Sequence, residues 1–104
     1  MKHSVTSKDF KKILFHSKSL LVGDLLFYYQ NSGANISFIV SAKKGNAVLR
    51  NKFKRRCRGI FNLYQKKLNQ NYSLIIKPQK ALKENYSWQE LNRSFDRFFS
   101  KLDV

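Results

Sequence analysis

The segment that decides the fold prediction is AVLRNKFKRRCRGIFNLYQKKL, residues 47–68. At about 100° per residue, seven apolar positions fall inside one arc of about 120°. They are Leu49, Phe53, Cys57, Ile60, Phe61, Tyr64 and Leu68. Asn46 is a suitable N-cap for a helix that begins at Ala47. The pattern predicts a long amphipathic helix whose apolar face packs on a sheet.

The predicted helix has a one-sided charge. Six of the nine residues from 50 to 58 are basic, and none from 47 to 68 is acidic. Lys52 and Arg56 lie on one flank, while the other side carries five hydrogen-bond donors: Arg50, Asn51, Lys54, Arg55 and Arg58. Guanidinium groups bind phosphate in bidentate pairs, and the asparagine amide both donates and accepts. This side therefore suits the backbone of a nucleic acid.

The whole chain shares this basic character. Its 104 residues include 21 Lys and Arg against 6 Asp and Glu, for a net charge of +15, and residues 25–83 contain 13 Lys and Arg without a carboxylate. Such a charge repels itself unless a polyanion screens it, so nucleic acid is the expected partner. The 42% hydrophobic content is too high for a disordered tail and sufficient for one core. We therefore predict a single domain over residues 1–104.

Two further helices are predicted near the ends of the chain. Phe10, Ile13 and Leu14 recur at helical spacing after the capping residues 6–9, which predicts a first helix. Ser87, with Glu90 three residues later, predicts the start of a final amphipathic helix. The apolar face of that helix contains Trp88, Leu91, Phe95, Phe98, Phe99 and Leu102.

Strands fill the intervals between the helices. Residues 20–29 are apolar except at 23–24, which predicts a short strand, a kink and a longer strand. The alternating residues 36–41 predict another strand, which we expect to pair antiparallel with its predecessor. Residues 72–77 predict a last strand beside an earlier one. The order helix, strands, helix, strand, helix indicates an α/β fold.

The few cysteine and histidine residues indicate the cellular compartment and limit the catalytic chemistry of the chain. Cys57 is the single cysteine and cannot form a disulfide within one chain, so a reducing cytoplasm fits best. No stretch suits a signal peptide or a transmembrane helix. His3, His16 and Cys57 supply no paired acid and base and no Cys/His metal site, so no catalytic residue is expected here.

The basic helix also matches a known signature, Ala-Val, any residue, Arg-Asn, two residues, Lys-Arg, two residues, Arg. The matching residues are Ala47, Val48, Arg50, Asn51, Lys54, Arg55 and Arg58. This run closely resembles the signature of the bacterial ribonuclease P protein component family. Val40-Ser41, Lys43 and Gly45 fit the strand and loop that lead into it, and the likeness extends over essentially the whole chain.

The resemblance implies a particular version of the α/β fold. It is a small two-layer α/β (α+β) sandwich like domain 2 of ribosomal protein S5, with a mixed sheet. The basic helix crosses between neighbouring parallel strands in a left-handed βαβ connection, whereas sequence physics alone predicts a right-handed one.

The resemblance also implies a non-catalytic subunit of ribonuclease P. In that enzyme a large RNA performs Mg²⁺-dependent hydrolysis that removes the 5′ leader from precursor tRNA, so Mg²⁺ is expected mainly on the RNA. The residues implied to bind this ribonuclease P RNA are Lys43, Arg50, Asn51, Lys54, Arg55 and Arg58. A cleft between the first helix and the sheet is implied to bind the leader through Phe10 and Tyr28. The protein alone is expected to be monomeric, without a membrane partner.

Other interpretations of the basic helix remain open at this point. A general RNA-binding or ribosome-associated module needs the charge but not Asn51. A DNA regulator of the helix-turn-helix kind requires a preceding positioning helix, and strands are predicted there instead. A helix bound to lipid would turn its apolar arc toward the membrane and away from the core, which the small domain needs. A helix that is merely solvated normally alternates charges four residues apart, and this one contains no acid.

Overall fold

The computed structural model describes residues 18–67, 72–82 and 87–102. The first helix predicted around Phe10 lies outside these residues. In chain order the elements are β1 (Lys18–Val22), β2 (Leu25–Gln30), β3 (Ile36–Phe38), a 3-10 turn (Ala42–Lys44), α1 (Ala47–Lys67), β4 (Ser73–Pro78) and α2 (Trp88–Leu102). The predicted long helix, last strand and final helix are confirmed to within a residue of their predicted starts.

The kink predicted at residues 23–24 is in fact a hairpin turn. β1 and β2 pair antiparallel, and Val22 lies opposite Leu25 across the two-residue connection. Gly23 has φ of 59° and is followed by a residue without positive φ, which is the pattern of a type II′ turn. The apolar run is therefore two strands, and β1 begins at Lys18, two residues earlier than predicted.

The prediction that the 36–41 strand pairs with its predecessor is wrong. The sheet order is β1-β2-β4-β3, so β4 lies between β2 and β3. β4 pairs antiparallel with β2 and parallel with β3. Its residues Leu74, Ile75 and Ile76 are all fully buried, so both faces of this strand are covered, as is typical of a central strand. The short β3 takes the sheet edge.

The connection from β3 through α1 to β4 joins two parallel neighbours. This is the crossover that the family resemblance implied, while its left-handedness stays a prediction. The predicted length of the β3 strand was too great, because regular pairing ends at Phe38 and only the Ile39 amide continues it, donating to the Ile76 carbonyl at 3.0 Å.

The main core lies between one face of the sheet and the two helices. Phe27 on β2 stacks on Phe98 of α2 at 4.4 Å between ring centroids and meets Phe95 edge to face at 5.4 Å. From α1, the buried residues are Phe53, Cys57, Ile60 and Phe61, all on the predicted apolar arc. This arrangement is the expected two-layer sandwich and leaves the polar sides of both helices facing outward.

Candidate nucleic-acid interface

The first turn of α1 is fixed by a side-chain cap. The Leu49 amide donates to Oδ1 of Asn46 at 2.9 Å, which satisfies one of the free N–H groups at a helix start. The predicted N-cap is therefore confirmed. Because this cap defines where α1 begins, it also sets the position of the basic residues that start at Arg50.

The loop before α1 is tied to the segment after β4. Nζ of Lys44 donates to the Gln79 carbonyl at 3.1 Å, and the Leu82 amide donates to the Lys44 carbonyl at 2.6 Å. Lys43, the neighbouring residue of the 3-10 turn, is exposed. The ties hold the backbone of this loop while the Lys43 side chain faces solvent beside the start of α1.

Arg50 is held against the same loop. Its Nε donates to the Gly45 carbonyl at 3.1 Å, and the side chain is half-buried. Since Nε is engaged, the two terminal amino groups of the guanidinium remain as hydrogen-bond donors.

Arg58, two turns further along, is held by an aromatic ring. Its guanidinium carbon lies 5.3 Å from the ring centroid of Phe38 on β3. Phe38 in turn meets Phe53 of α1 edge to face, with ring centroids 5.9 Å apart. The cationic group is thus placed over a ring that the core fixes, within the range of a cation–π interaction.

The remaining predicted residues lie on the same side of α1. Asn51 and Arg55 are exposed and Lys54 is half-buried. α1 contains no acid, and within residues 18–67, 72–82 and 87–102 the ion pair found, Lys80 with Asp24 at 3.5 Å, does not involve it. The positive charge on this side of α1 therefore has no carboxylate partner among the described residues. This side is here called the basic face and consists of Arg50, Asn51, Lys54, Arg55 and Arg58.

Tyr28 lies on a different surface from the basic face. Residues opposite one another in register share a sheet face, and the row through Tyr28 contains Ser19, Ile75 and Ser37. The helices α1 and α2 cover the alternate row, which contains Phe27. Ile75 is fully buried although it does not belong to the core beneath the helices. Tyr28 is half-buried beside it, and its predicted neighbour Phe10 lies outside the described residues.

Chemically reactive groups are sparse in this part of the protein. Cys57 is fully buried, and burial raises the pKa of its thiol, against a smaller lowering by Arg58. Its predicted place in the apolar seam is confirmed, and such a thiol is a poor nucleophile. In the described ranges no three His, Cys, Asp or Glu residues gather as a metal site would require.

Two of the alternatives for α1 concern a membrane and a DNA duplex. No helix among the described residues is long and apolar enough to cross a membrane. A 3-10 turn and the strand β3 precede α1, not the positioning helix of a helix-turn-helix.

Sequence reasoning missed the groups that orient the two arginines. The sequence predicts only a strand for the segment that contains Phe38, and no contact for the Gly45 carbonyl. Helical periodicity carries no signal for either contact, because each joins α1 to residues outside it. The register of β3, which sets the direction of Phe38, follows from its pairing with Ile76 on β4.

A mixed four-stranded sheet with an acid-free basic helix packed across it defines a small α/β protein of the nucleic-acid-binding class. The family model for Ribonuclease P matches residues 3–103 of the chain. The chain therefore belongs to the ribonuclease P protein component family, whose members are subunits of a ribonucleoprotein endoribonuclease that processes tRNA.

Individual relatives agree with this assignment. The chain is 33% identical to the ribonuclease P protein component of Streptococcus agalactiae serotype III over 91 residues, covering 84% of this chain and 83% of the relative. It is 31% identical to that of Macrococcus caseolyticus over 96 residues, covering 86% and 80%.

Solved structures agree on the fold. The Staphylococcus aureus RNase P protein aligns with a TM-score of 0.80 and 24% identity, covering 100% of this chain and 98% of the other. The Thermotoga maritima RNase P protein aligns with a TM-score of 0.78 and 21% identity, covering 96% and 97%. The predicted two-layer α/β fold of this family is thereby confirmed.

Proposed function

We propose that the basic face of α1, together with Lys43, binds the RNA subunit of ribonuclease P. The observation that carries this proposal is the clustering of five donors on one side of a helix without an acid, next to an apolar seam that the core occupies. Phosphate is the ligand that guanidinium forks and lysines suit best. The exposed Lys43 extends the same charge toward the loop before α1.

The surface around Tyr28 is proposed to contact the 5′ leader of precursor tRNA. An aromatic ring stacks on an unpaired base of any sequence and contributes about 1–3 kcal/mol per base. Tyr28 suits this role because it lies on the sheet face away from α1 and α2. Phe10 is proposed as its partner from the family resemblance.

The Mg²⁺ ions of the reaction are proposed to be held mainly by the RNA. Mg²⁺ prefers carboxylate and phosphate oxygens. The described carboxylates are Asp24 in the hairpin turn and Glu90 and Asp96 on α2, and they form no cluster. The protein's own residues would then bind and position RNA.

We propose that the protein works in the cytoplasm, because a free buried thiol at Cys57 suits a reducing compartment. We also propose that the protein is a monomer when the RNA is absent.

Cleavage of a leader-bearing precursor tRNA tests the proposal. A bacterial ribonuclease P RNA is incubated at low Mg²⁺ with and without this protein, alongside protein alone. We expect cleavage at the leader junction only when both are present. No stimulation with several such RNAs would contradict the proposal, and cleavage by the protein alone would place an active site in this chain.

Two variants separate the two surfaces. Asn51→Ala should weaken assembly with the RNA, because it removes an amide that donates and accepts hydrogen bonds. The positive charge is unchanged, so a purely electrostatic binder would lose no affinity. Tyr28→Leu should leave assembly intact and weaken binding of precursor tRNA, but only for substrates that carry a leader. Equal losses of binding affinity for leader-bearing and leaderless substrates would contradict a contact between Tyr28 and the leader.

A further inference from the structure

The basic face contains two kinds of cationic side chain. Arg50 and Arg58 are held by groups of the protein itself, the Gly45 carbonyl at 3.1 Å and the Phe38 ring at 5.3 Å. No hydrogen bond, ion pair or ring contact holds Lys54 or Arg55 among the described residues. The cations of one helix side therefore differ in how much freedom they lose when a ligand binds.

Both contacts leave phosphate-binding donors free. A guanidinium has five N–H donors in one plane. The Gly45 carbonyl takes the Nε donor of Arg50. The guanidinium carbon of Arg58 lies 5.3 Å from the Phe38 ring centroid, and no hydrogen-bond acceptor among the described residues holds its N–H groups. Each group therefore keeps the pair of terminal amino groups that bind phosphate oxygens in bidentate fashion.

The positions of the two arginines are set by rigid parts of the fold. Eight residues of α-helix separate them, which at about 1.5 Å per residue is about 12 Å along the axis. The Phe38 ring is fixed by pairing of β3 with β4 and by its edge contact with Phe53 at 5.9 Å. Gly45 lies in the loop that Leu82 ties through its hydrogen bond to Lys44.

We propose that Arg50 and Arg58 are a pre-oriented pair of phosphate clamps for two sites on the RNA backbone, and that Phe38 is a positioning residue for Arg58. The inference rests on the proposed function of the basic face and adds to it that binding depends on guanidinium geometry as well as charge. Side chains already ordered in the free protein lose less entropy on binding, which strengthens binding without new contacts.

The first experiment replaces arginine by lysine, which keeps the charge and removes the fork. The dissociation constant of the full chain for a bacterial ribonuclease P RNA is measured over a range of salt concentrations. We expect Arg58→Lys and Arg50→Lys each to weaken binding about tenfold, or about 1.4 kcal/mol, at an unchanged slope of log affinity against log salt. Arg55→Lys should lose less than either, and Arg97→Lys on α2 serves as the control without effect.

The second experiment tests Phe38 by a double-mutant cycle. Phe38→Leu keeps an apolar side chain on β3 and should weaken RNA binding about threefold through loss of the cation–π contact. The same substitution in an Arg58→Ala background should then cost nothing further. An equal loss in both backgrounds would show a general effect of Phe38 on the fold and would overturn its positioning role.

The outcomes separate this inference from the proposed function. If Arg58→Ala weakens binding but Arg58→Lys binds as the parent protein does, charge alone suffices and the clamp proposal is wrong while the basic face stands. If neither Arg50→Ala nor Arg58→Ala weakens binding, the proposed RNA-binding role of the basic face is itself wrong. Circular dichroism and the thermal midpoint of each variant establish that the compared proteins are folded.

Discussion

At the scale of single residues, the local backbone conformation decides whether a glycine can be replaced, as two glycines of this chain show. Gly33 follows β2 with φ of 71°, a conformation that side chains with a Cβ rarely adopt. A Cβ built there would lie 2.8 Å from Oγ of Ser73, which donates to the Ser32 carbonyl at 2.6 Å. Gly59 lies inside α1, and a Cβ there would meet nothing within 4 Å. One glycine is therefore required by conformation and contact, and the other is not.

The same substitution should thus have opposite effects at the two positions. Gly33→Ala is expected to lower the free energy of unfolding by about 1–2 kcal/mol, because it forces a strained φ and displaces the Ser73 hydroxyl. Gly59→Ala is expected to raise it by about 1 kcal/mol through helix propensity. Urea unfolding of both variants measures the difference. A change of equal sign at both positions would contradict this account.

At the scale of elements, both helices begin with the same device. The Leu49 amide donates to Asn46 at 2.9 Å at the start of α1, and the Glu90 amide donates to Oγ of Ser87 at 3.1 Å at the start of α2. The two caps should stabilise the fold by similar amounts. They differ in function, because only α1 carries the basic face.

Removing the caps one at a time separates stability from RNA binding. Asn46→Ala and Ser87→Ala should each lower the free energy of unfolding by about 1 kcal/mol. Only Asn46→Ala should also weaken binding to the ribonuclease P RNA, since fraying of the first turn of α1 releases Arg50. The measurements are urea unfolding and RNA affinity at fixed salt. Equal affinity losses would contradict a specific role for the α1 terminus.

The two helices are joined by Tyr64 and Asp96. The Tyr64 hydroxyl donates to Oδ1 of Asp96 at 3.1 Å, and its ring stacks on Phe99 with centroids 4.8 Å apart. Burial, followed by the hydrogen bond and the negative charge of Asp96, raises the pKa of Tyr64 from its ordinary value of 10.0 to about 12. The contact links the C-terminal half of α1 to α2.

This pKa shift predicts a loss of stability at alkaline pH. Between pH 10 and 12 the unfolded chain releases the Tyr64 proton while the folded chain retains it, so the free energy of unfolding falls as pH rises. Tyr64→Phe should make the fall less steep, and Asp96→Asn should do so in part because burial still acts. Urea unfolding at several pH values in this range measures the slopes. Unchanged slopes in Tyr64→Phe would contradict the assignment.

At the scale of the whole molecule, the net charge of +15 dominates the electrostatics. Self-repulsion destabilises the free protein, and the same charge attracts the RNA. Salt screens both effects. Its influence on stability and on RNA affinity should therefore have opposite signs.

Raising NaCl from about 10 mM to about 0.1 M shortens the Debye length from about 30 Å to about 10 Å. We expect the urea midpoint of the free protein to rise and its RNA affinity to fall over this range. A Lys18→Glu/Arg93→Glu variant changes the net charge by four, from +15 to +11, away from α1. It should show a smaller salt effect on stability, and an equal effect would indicate specific ion binding in place of general repulsion.

The sequence by itself determined the features that depend on residues within a few turns of one another. The Asn46 cap of α1 and the Ser87 cap of α2 follow from residue types that accept a hydrogen bond at a helix start. The apolar seam through Cys57 and the one-sided basic face follow from helical spacing. The family signature lies in the same local run, which explains why the class of protein was predictable. These features survive any arrangement of the remaining elements, because the helix backbone alone sets the relative directions of its side chains.

Tertiary structure decided what depends on residues far apart in the chain. The insertion of β4 between β2 and β3 follows from burial of Ile75 and its neighbours on both faces, and adjacency in sequence favoured the wrong pairing. The placement of Phe38 under Arg58 requires that same strand order. Local patterns specify which face of each element is apolar. Only packing of all the elements into one core selects which strands become neighbours, because the free energy of burial belongs to the assembled sheet and helices.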